Sequence, residues 1–210
     1  MDDEQTRRRV LRGVAGGAVA GAVLGWVSPS ASHVPASDIE QIEPTARPPL
    51  EETETSYAVY QYATVRGDFR RTLPINVVCP LEEASFDDLI TVFTDAGWYH
   101  RPAEQVRYAF DRGTGRWTRS HWSGADSVFG VGPRIHVRCW ELDGTASLQA
   151  HIDTPPTPHH RIHSFSEAAG RVTRLFANAG WAVNPLAPDT LDLGNAEPPD
   201  HGGVAVVLHR

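Results

Sequence analysis

Two alternating runs joined by Asp143-Gly144 constrain this chain more than any other feature in it. Arg134-Ile-His-Val-Arg-Cys-Trp-Glu-Leu142 precedes the dipeptide and Thr145-Ala-Ser-Leu-Gln-Ala-His-Ile-Asp153 follows it. A two-residue type I′ turn needs positive φ at both central positions, which Asp-Gly supplies with little strain. The turn fixes the register, beginning with Leu142 opposite Thr145. Cys139 then faces Leu148, Val137 faces Ala150 and Ile135 faces Ile152, an apolar side that belongs to a core. The other side sets Trp140 against Ser147, Arg138 against Gln149, His136 against His151 and Arg134 against Asp153. A one-residue slip would turn one strand over and bury His151 among Ile135 and Val137, so the register is strongly specified.

The rest of the domain follows the same grammar. Tyr57 to Val65 and Leu73-Pro-Ile-Asn-Val-Val-Cys79 read as strands, as do Val106–Phe110 and Arg116–Trp122. Gly202-Gly203-Val-Ala-Val-Val-Leu-His-Arg210 reads as a closing internal strand, given its unbroken apolar run. A helix starts after Ser85, a natural N-cap, with Asp87 and Asp88 in its first turn and Phe86, Leu89, Ile90 and Phe93 on one face. A second runs from Ser164 or Ser166 to Ala179. Both close on Gly at the left-handed C-terminal position, in Phe93-Thr-Asp-Ala-Gly-Trp98 and Phe176-Ala-Asn-Ala-Gly-Trp181. That likeness raises the alternative of an internal βα pseudo-repeat. The fold class expected is α+β, a mixed and mainly antiparallel sheet with both helices on one face.

The polar side of the hairpin carries the candidate site. Directly opposed side chains have Cβ atoms about 4.5–5.5 Å apart, so His136 and His151 can share a cation or a ligand oxygen, and Arg134 can pair with Asp153. His159, His160 and His163 follow in a Pro-rich loop, so five of the chain's ten histidines fall within residues 136–163. Three readings stand. The face is simply wet, as one side of an antiparallel sheet often is. Or His136, Arg138, Trp140, Gln149, His151, Asp153 and His160 form a polar-ligand pocket. Or His136, His151 and His160 hold a divalent metal such as zinc, although their spacing matches no standard ligand motif.

Outside the hairpin, little chemistry is signalled. Gly113-Thr-Gly115 and Gly130-Val-Gly132 read as turns, and the chain has no nucleophile elbow, phosphate loop or dinucleotide fingerprint. Cys79 and Cys139 fall in strands; they read as buried free thiols, with a disulfide as the alternative that export permits.

Charge narrows the partners. Asp and Glu number 26 against 19 basic residues, all of them Arg, for a net of −7. The arginines from Arg66 to Arg138 are interspersed with acids and form no stripe, so a nucleic-acid partner is not expected. At the N-terminus, Thr6-Arg7-Arg8-Arg9-Val10-Leu11-Arg12 and the Gly-diluted apolar run to Val27 resemble a twin-arginine export signal. Cleavage after it and retention as a membrane anchor through residues 10–27 are both open; no Cys lies near for a lipid anchor. The organisation expected is a signal or anchor segment at 1–36, a disordered Pro- and acid-rich spacer at 37–54, and one domain at 55–210.

His136-Val-Arg-Cys-Trp140, Asp-Gly, Ala150-His-Ile-Asp153, Pro-His-His160 and a helix with Glu167 and Arg171 together resemble the LssY C-terminal domain family. Leu73-Pro-Ile-Asn-Val-Val and Ala96-Gly-Trp98 extend the resemblance over Leu73 to Gly180. It departs at Glu167-Ala-Ala-Gly170, where the family's acidic run is thinned. The resemblance implies a fold neighbour without an established activity, and it marks His136, Arg138, Asp153 and His160. Taken together, these features point to an exported, cell-surface or extracellular domain that binds a small polar ligand or another surface protein, without a cofactor. The alternative is a metal-dependent hydrolase working on the His136/His151 face.

Overall fold

The computed structural model describes residues 41–42, 55–101, 106–127, 132–154 and 161–210. The expected signal segment, the spacer apart from residues 41–42, and His159 and His160 lie outside the described residues. In chain order the elements are β1 (Gln41–Ile42), β2 (Tyr60–Val65), β3 (Asp68–Pro74), β4 (Val77–Pro80), α1 (Phe86–Asp95), β5 (Tyr99–His100), β6 (Tyr108–Asp111) and β7 (Arg116–Arg119). There follow β8 (Trp122–Ala125), β9 (Arg134–Leu142), β10 (Thr145–Thr154), β11 (Arg161–Ser164), α2 (Ser166–Asn178), β12 (Thr190–Asp192) and β13 (Val204–Val207).

The class is α+β and mainly antiparallel. Strands β12-β13-β4-β10-β9-β8-β5 form one sheet, with β11 also on β10; β1-β7-β6-β2-β3 form a second. The mixed character rests on one parallel pair, β13 with β4, so the C-terminal strand is internal, as its apolar run required. The hairpin turn is as Asp-Gly dictates, with φ of 38° at Asp143 and 77° at Gly144.

Both helices lie on one face of the larger sheet. Their buried side chains, among them Leu89, Phe93, Val172 and Phe176, join Val77, Val137, Cys139, Leu148 and Ala150 in one core. The opposite face is covered at its turn end by the second sheet, through Val78, Trp140 and Leu142 against Tyr62, Tyr108, Phe110 and Trp117. The layers are therefore helix, sheet, sheet. The separate second sheet arises because two segments that read as single strands each cross between layers. Leu73–Cys79 breaks at Ile75-Asn76 into β3 and β4, and Arg116–Trp122 breaks at Ser120-His121 into β7 and β8.

Helix α1 has a capping box: Ser85 Oγ accepts from Asp88 N, and Asp88 Oδ2 accepts from Ser85 N. These Ser85 hydrogen bonds hold the Asp88 carboxyl below its ordinary pKa. Helix α2 starts after Phe165, which has no side chain to cap with. Ser164 Oγ accepts from Glu167 N at 2.8 Å, and Asp200 Oδ1 accepts from Phe165 N at 2.7 Å.

The two helix endings have the same geometry. Trp98 N donates to Phe93 O and Trp181 N to Phe176 O, each at 3.0 Å, with Gly97 at φ 79° and Gly180 at φ 83°. The chain then goes different ways: Tyr99–His100 pairs with β8, whereas Ala182 bridges to His209. The likeness is confined to the helices and their caps. Cys79 and Cys139 are both free and buried, and burial pushes the Cys79 thiol up to about 12.

Candidate functional site

Every cross-strand pair expected from the turn is present, from Leu142 opposite Thr145 to Arg134 opposite Asp153. His136 and His151 are direct partners, with ring centroids 5.2 Å apart and the rings edge to face at 84°. Arg134 and Asp153 form a forked ion pair, Nε donating at 3.0 Å to Oδ1 and Nη2 at 3.0 Å to Oδ2. Beside the hairpin, β8 adds Ser123 opposite Arg138 and Ala125 opposite His136.

One reading of this face is corrected. It is not wet: His136 is 4% exposed, Arg138 6%, His151 6%, Asp153 3% and Gln149 0%. The expectation came from treating this side of the hairpin as solvent-facing, whereas its turn end is covered by the second sheet and its histidine end is buried as well. Trp140 is wholly buried in the core between the sheets, so it borders the polar residues from the closed end.

Burial obliges the polar groups to find partners. His136 Nε2 and Ser123 Oγ are hydrogen-bonded at 3.0 Å. His151 Nδ1 donates to Gln149 Oε1 at 3.0 Å, because a carbonyl oxygen can only accept. The other end of that amide, Gln149 Nε2, is inaccessible to solvent and has no hydrogen-bond partner among the described residues, and the same holds for Trp140 Nε1. An unmade hydrogen bond at a buried donor costs about 1–3 kcal/mol.

As for the metal reading, no group of three or more His, Cys, Asp or Glu side chains among the described residues is placed to hold an ion. Its third proposed ligand, His160, lies outside them. His163 is exposed on β11. Glu167 and Arg171 form an exposed pair at 2.6 Å along α2, on the helix side of the sheet and away from the histidine face.

Sequence reasoning missed Ser123, whose only signal was a small polar residue in the strand-like Trp122-Ser-Gly-Ala125. It also missed a second buried polar cluster. Asn195 Nδ2 donates to Val59 O at 2.7 Å and Ile75 O at 2.9 Å, and His201 Nε2 donates to Asn195 Oδ1 at 2.7 Å. The cluster holds the C-terminal arm against the crossing between β3 and β4. Asn195 lies 136 and 120 residues from the two carbonyls it binds, so no local pattern announces the cluster. No family model, curated protein or solved structure matches the chain.

Proposed function

We propose that this is an exported domain that binds a small polar ligand, and that the polar half of the central sheet's inner face is its binding surface. The observation that carries the reading is Gln149 Nε2, a fully buried donor without a hydrogen-bond partner among the described residues. It stands beside Arg138, His136 and His151 on one surface. A buried donor left without a partner favours a ligand that brings an acceptor oxygen. The resemblance to the LssY C-terminal domain family supports the same positions, His136, Arg138 and Asp153. The export signal at Arg7-Arg8-Arg9 supports a place outside the cytoplasm, at the cell surface or beyond. Among the described residues no helix is long and apolar enough to cross a membrane, and an anchor, if retained, is residues 10–27.

The alternative is a metal-dependent hydrolase, favoured by the adjacent imidazoles of His136 and His151. One experiment separates the two. The untagged protein is analysed for metals, and its histidine ring nitrogens are followed by NMR as acetate, phosphate and glycerol are added in turn. Saturable shifts at His136 and His151 in metal-free protein support ligand binding. A stoichiometric metal supports the hydrolase. Unmoved imidazoles in metal-free protein overturn both.

A further inference from the structure

A cavity of about 190 Å³ lies between α2 and the C-terminal arm, away from the histidine face. Its walls are mostly apolar, from Phe165, Ala169, Pro185, Pro188 and Val206. The side-chain hydroxyl and amide hydrogens around it are already committed. Asn76 Nδ2 donates to Ala150 O and Phe165 O, Ser166 Oγ to Asp200 O, and Thr173 Oγ1 to Ala169 O. One imidazole lines the same space: His201, 7% exposed. Its Nε2 must be the donor to Asn195 Oδ1, since Asn195 spends its amide hydrogens on two carbonyls. The neutral ring therefore carries its lone pair on Nδ1, which has no hydrogen-bond partner among the described residues. Burial lowers the His201 pKa against the pull of Asp200 and Glu197, so the ring is neutral near pH 7.

Gly170 gives a second, independent sign. It sits inside α2, where glycine costs about 0.5–1 kcal/mol relative to alanine. Nothing in the fold demands it: a Cβ there would meet only Arg174 Nη1, at 3.7 Å. Gly170 lines the cavity, and that stretch of wall has room for a larger side chain.

We infer that this cavity binds a small neutral monocyclic aromatic carrying one hydroxyl, a phenol, with the hydroxyl donating to His201 Nδ1. The size agrees, since a cavity of about 150 Å³ is known to hold a benzene ring. The walls agree too, with an aromatic edge from Phe165 and two proline faces for a ring to lie against. The side chains of the walls withhold donor hydrogens and offer an acceptor, which favours a ligand that supplies the hydrogen. Asp200 and Glu197 nearby disfavour an anion, and the apolar lining disfavours any charge.

Calorimetry on the full chain at pH 7.5 tests this with phenol and toluene, which have the same number of heavy atoms. Phenol is expected to bind saturably and about tenfold or more tighter than toluene, the worth of one buried hydrogen bond. Gly170→Leu fills the cavity and removes binding of both, while its melting temperature stays at or above that of the parent chain. His201→Leu removes the Nδ1 acceptor and brings phenol and toluene to within about twofold of each other. Absence of saturable phenol binding, equal affinity for the two rings in the parent chain, or binding that survives Gly170→Leu overturns the inference.

Discussion

Asn76 and Ala150 exchange two hydrogen bonds of 2.8 Å: the Asn76 amide donates to Ala150 O and its oxygen accepts from Ala150 N. The side chain imitates a strand. Strand β4 pairs with β10 only as far as Leu148, and β11 takes up the same edge from Ile152. Ala150 lies in the gap, and Asn76 fills it. A further bond from Asn76 Nδ2 to Phe165 O ties the gap to the start of α2. Asn76→Ala leaves Ala150 N and Ala150 O, both buried, without partners, while Phe165 O keeps its bond from Ala169 N, and is expected to cost about 3–5 kcal/mol. Urea unfolding checks it: the midpoint falls and the slope stays unchanged. Asn76→Asp should be no better, because an acceptor would then face Ala150 O.

That position also shows where sequence reading ends. The hairpin was legible because Asp143-Gly144 fixes a local turn and alternation then dictates every pair. Ser85 and the two Gly-closed helix ends were legible for the same local reason. Asn76 was visible only as a polar residue in an apolar run, with nothing to say that the run changes sheets there. The N-terminus of α2 was placed between Ser164 and Ser166 without its cap, because Asp200 reaches it from 35 residues away. Alternation on β9 and β10 specifies only that the rings of His136 and His151 share a face, and carries no signal of their burial.

Arg134 and Asp153, each about 5% exposed, form the ion pair at the end of the histidine face. Desolvating both charges takes back most of what their attraction supplies, while removing one leaves the other stranded. Asp153→Leu is expected to cost about 3–5 kcal/mol, and adding Arg134→Met should recover most of that loss. A double-mutant cycle by chemical denaturation checks it. Equal stability of the single and double variants would show that the pair is not coupled.

Gly124 is required by its neighbour on the same strand. A Cβ at Gly124 would overlap the Trp122 ring, which cannot retreat because it is stacked on Phe93 at 5.0 Å and 20°. Gly124→Ala is expected to destabilise the domain by about 1–3 kcal/mol through overpacking, the reverse of the usual gain from replacing a strand glycine. Adding Trp122→Phe, which shortens the ring, should restore part of the loss in thermal unfolding.

Export is tested at Arg7, Arg8 and Arg9. A receptor that reads paired arginines does not accept lysine merely because the charge is kept. Replacing all three with Lys is expected to retain the precursor inside the cell, measured by fractionation and immunoblot. Undiminished appearance outside would remove the twin-arginine reading. A high-salt wash of membranes then separates a cleaved domain, which is released, from one held by residues 10–27.

Acid should weaken the domain in two steps, and His201 sets the first. Burial holds its folded pKa below the ordinary 6.5, with Asp200 and Glu197 pulling the other way. Between 6.5 and that lower value the unfolded chain binds a proton that the folded chain does not, so stability falls as pH falls through this window. Asp200 sets the second. Burial opposes its charge, but hydrogen bonds from Ser164, Phe165 and Ser166 outweigh that and hold its pKa below the ordinary 3.8. Its contribution is complete above 3.8 and is lost as pH falls through the folded value. His201→Gln isolates the first step, since glutamine can still donate to Asn195 but does not titrate. The stability difference between the parent chain and His201→Gln, from urea unfolding at pH 7.5, 6.5, 5.5 and 5.0, should move steadily in favour of the variant as pH falls. A difference independent of pH would mean that His201 is not held neutral by burial.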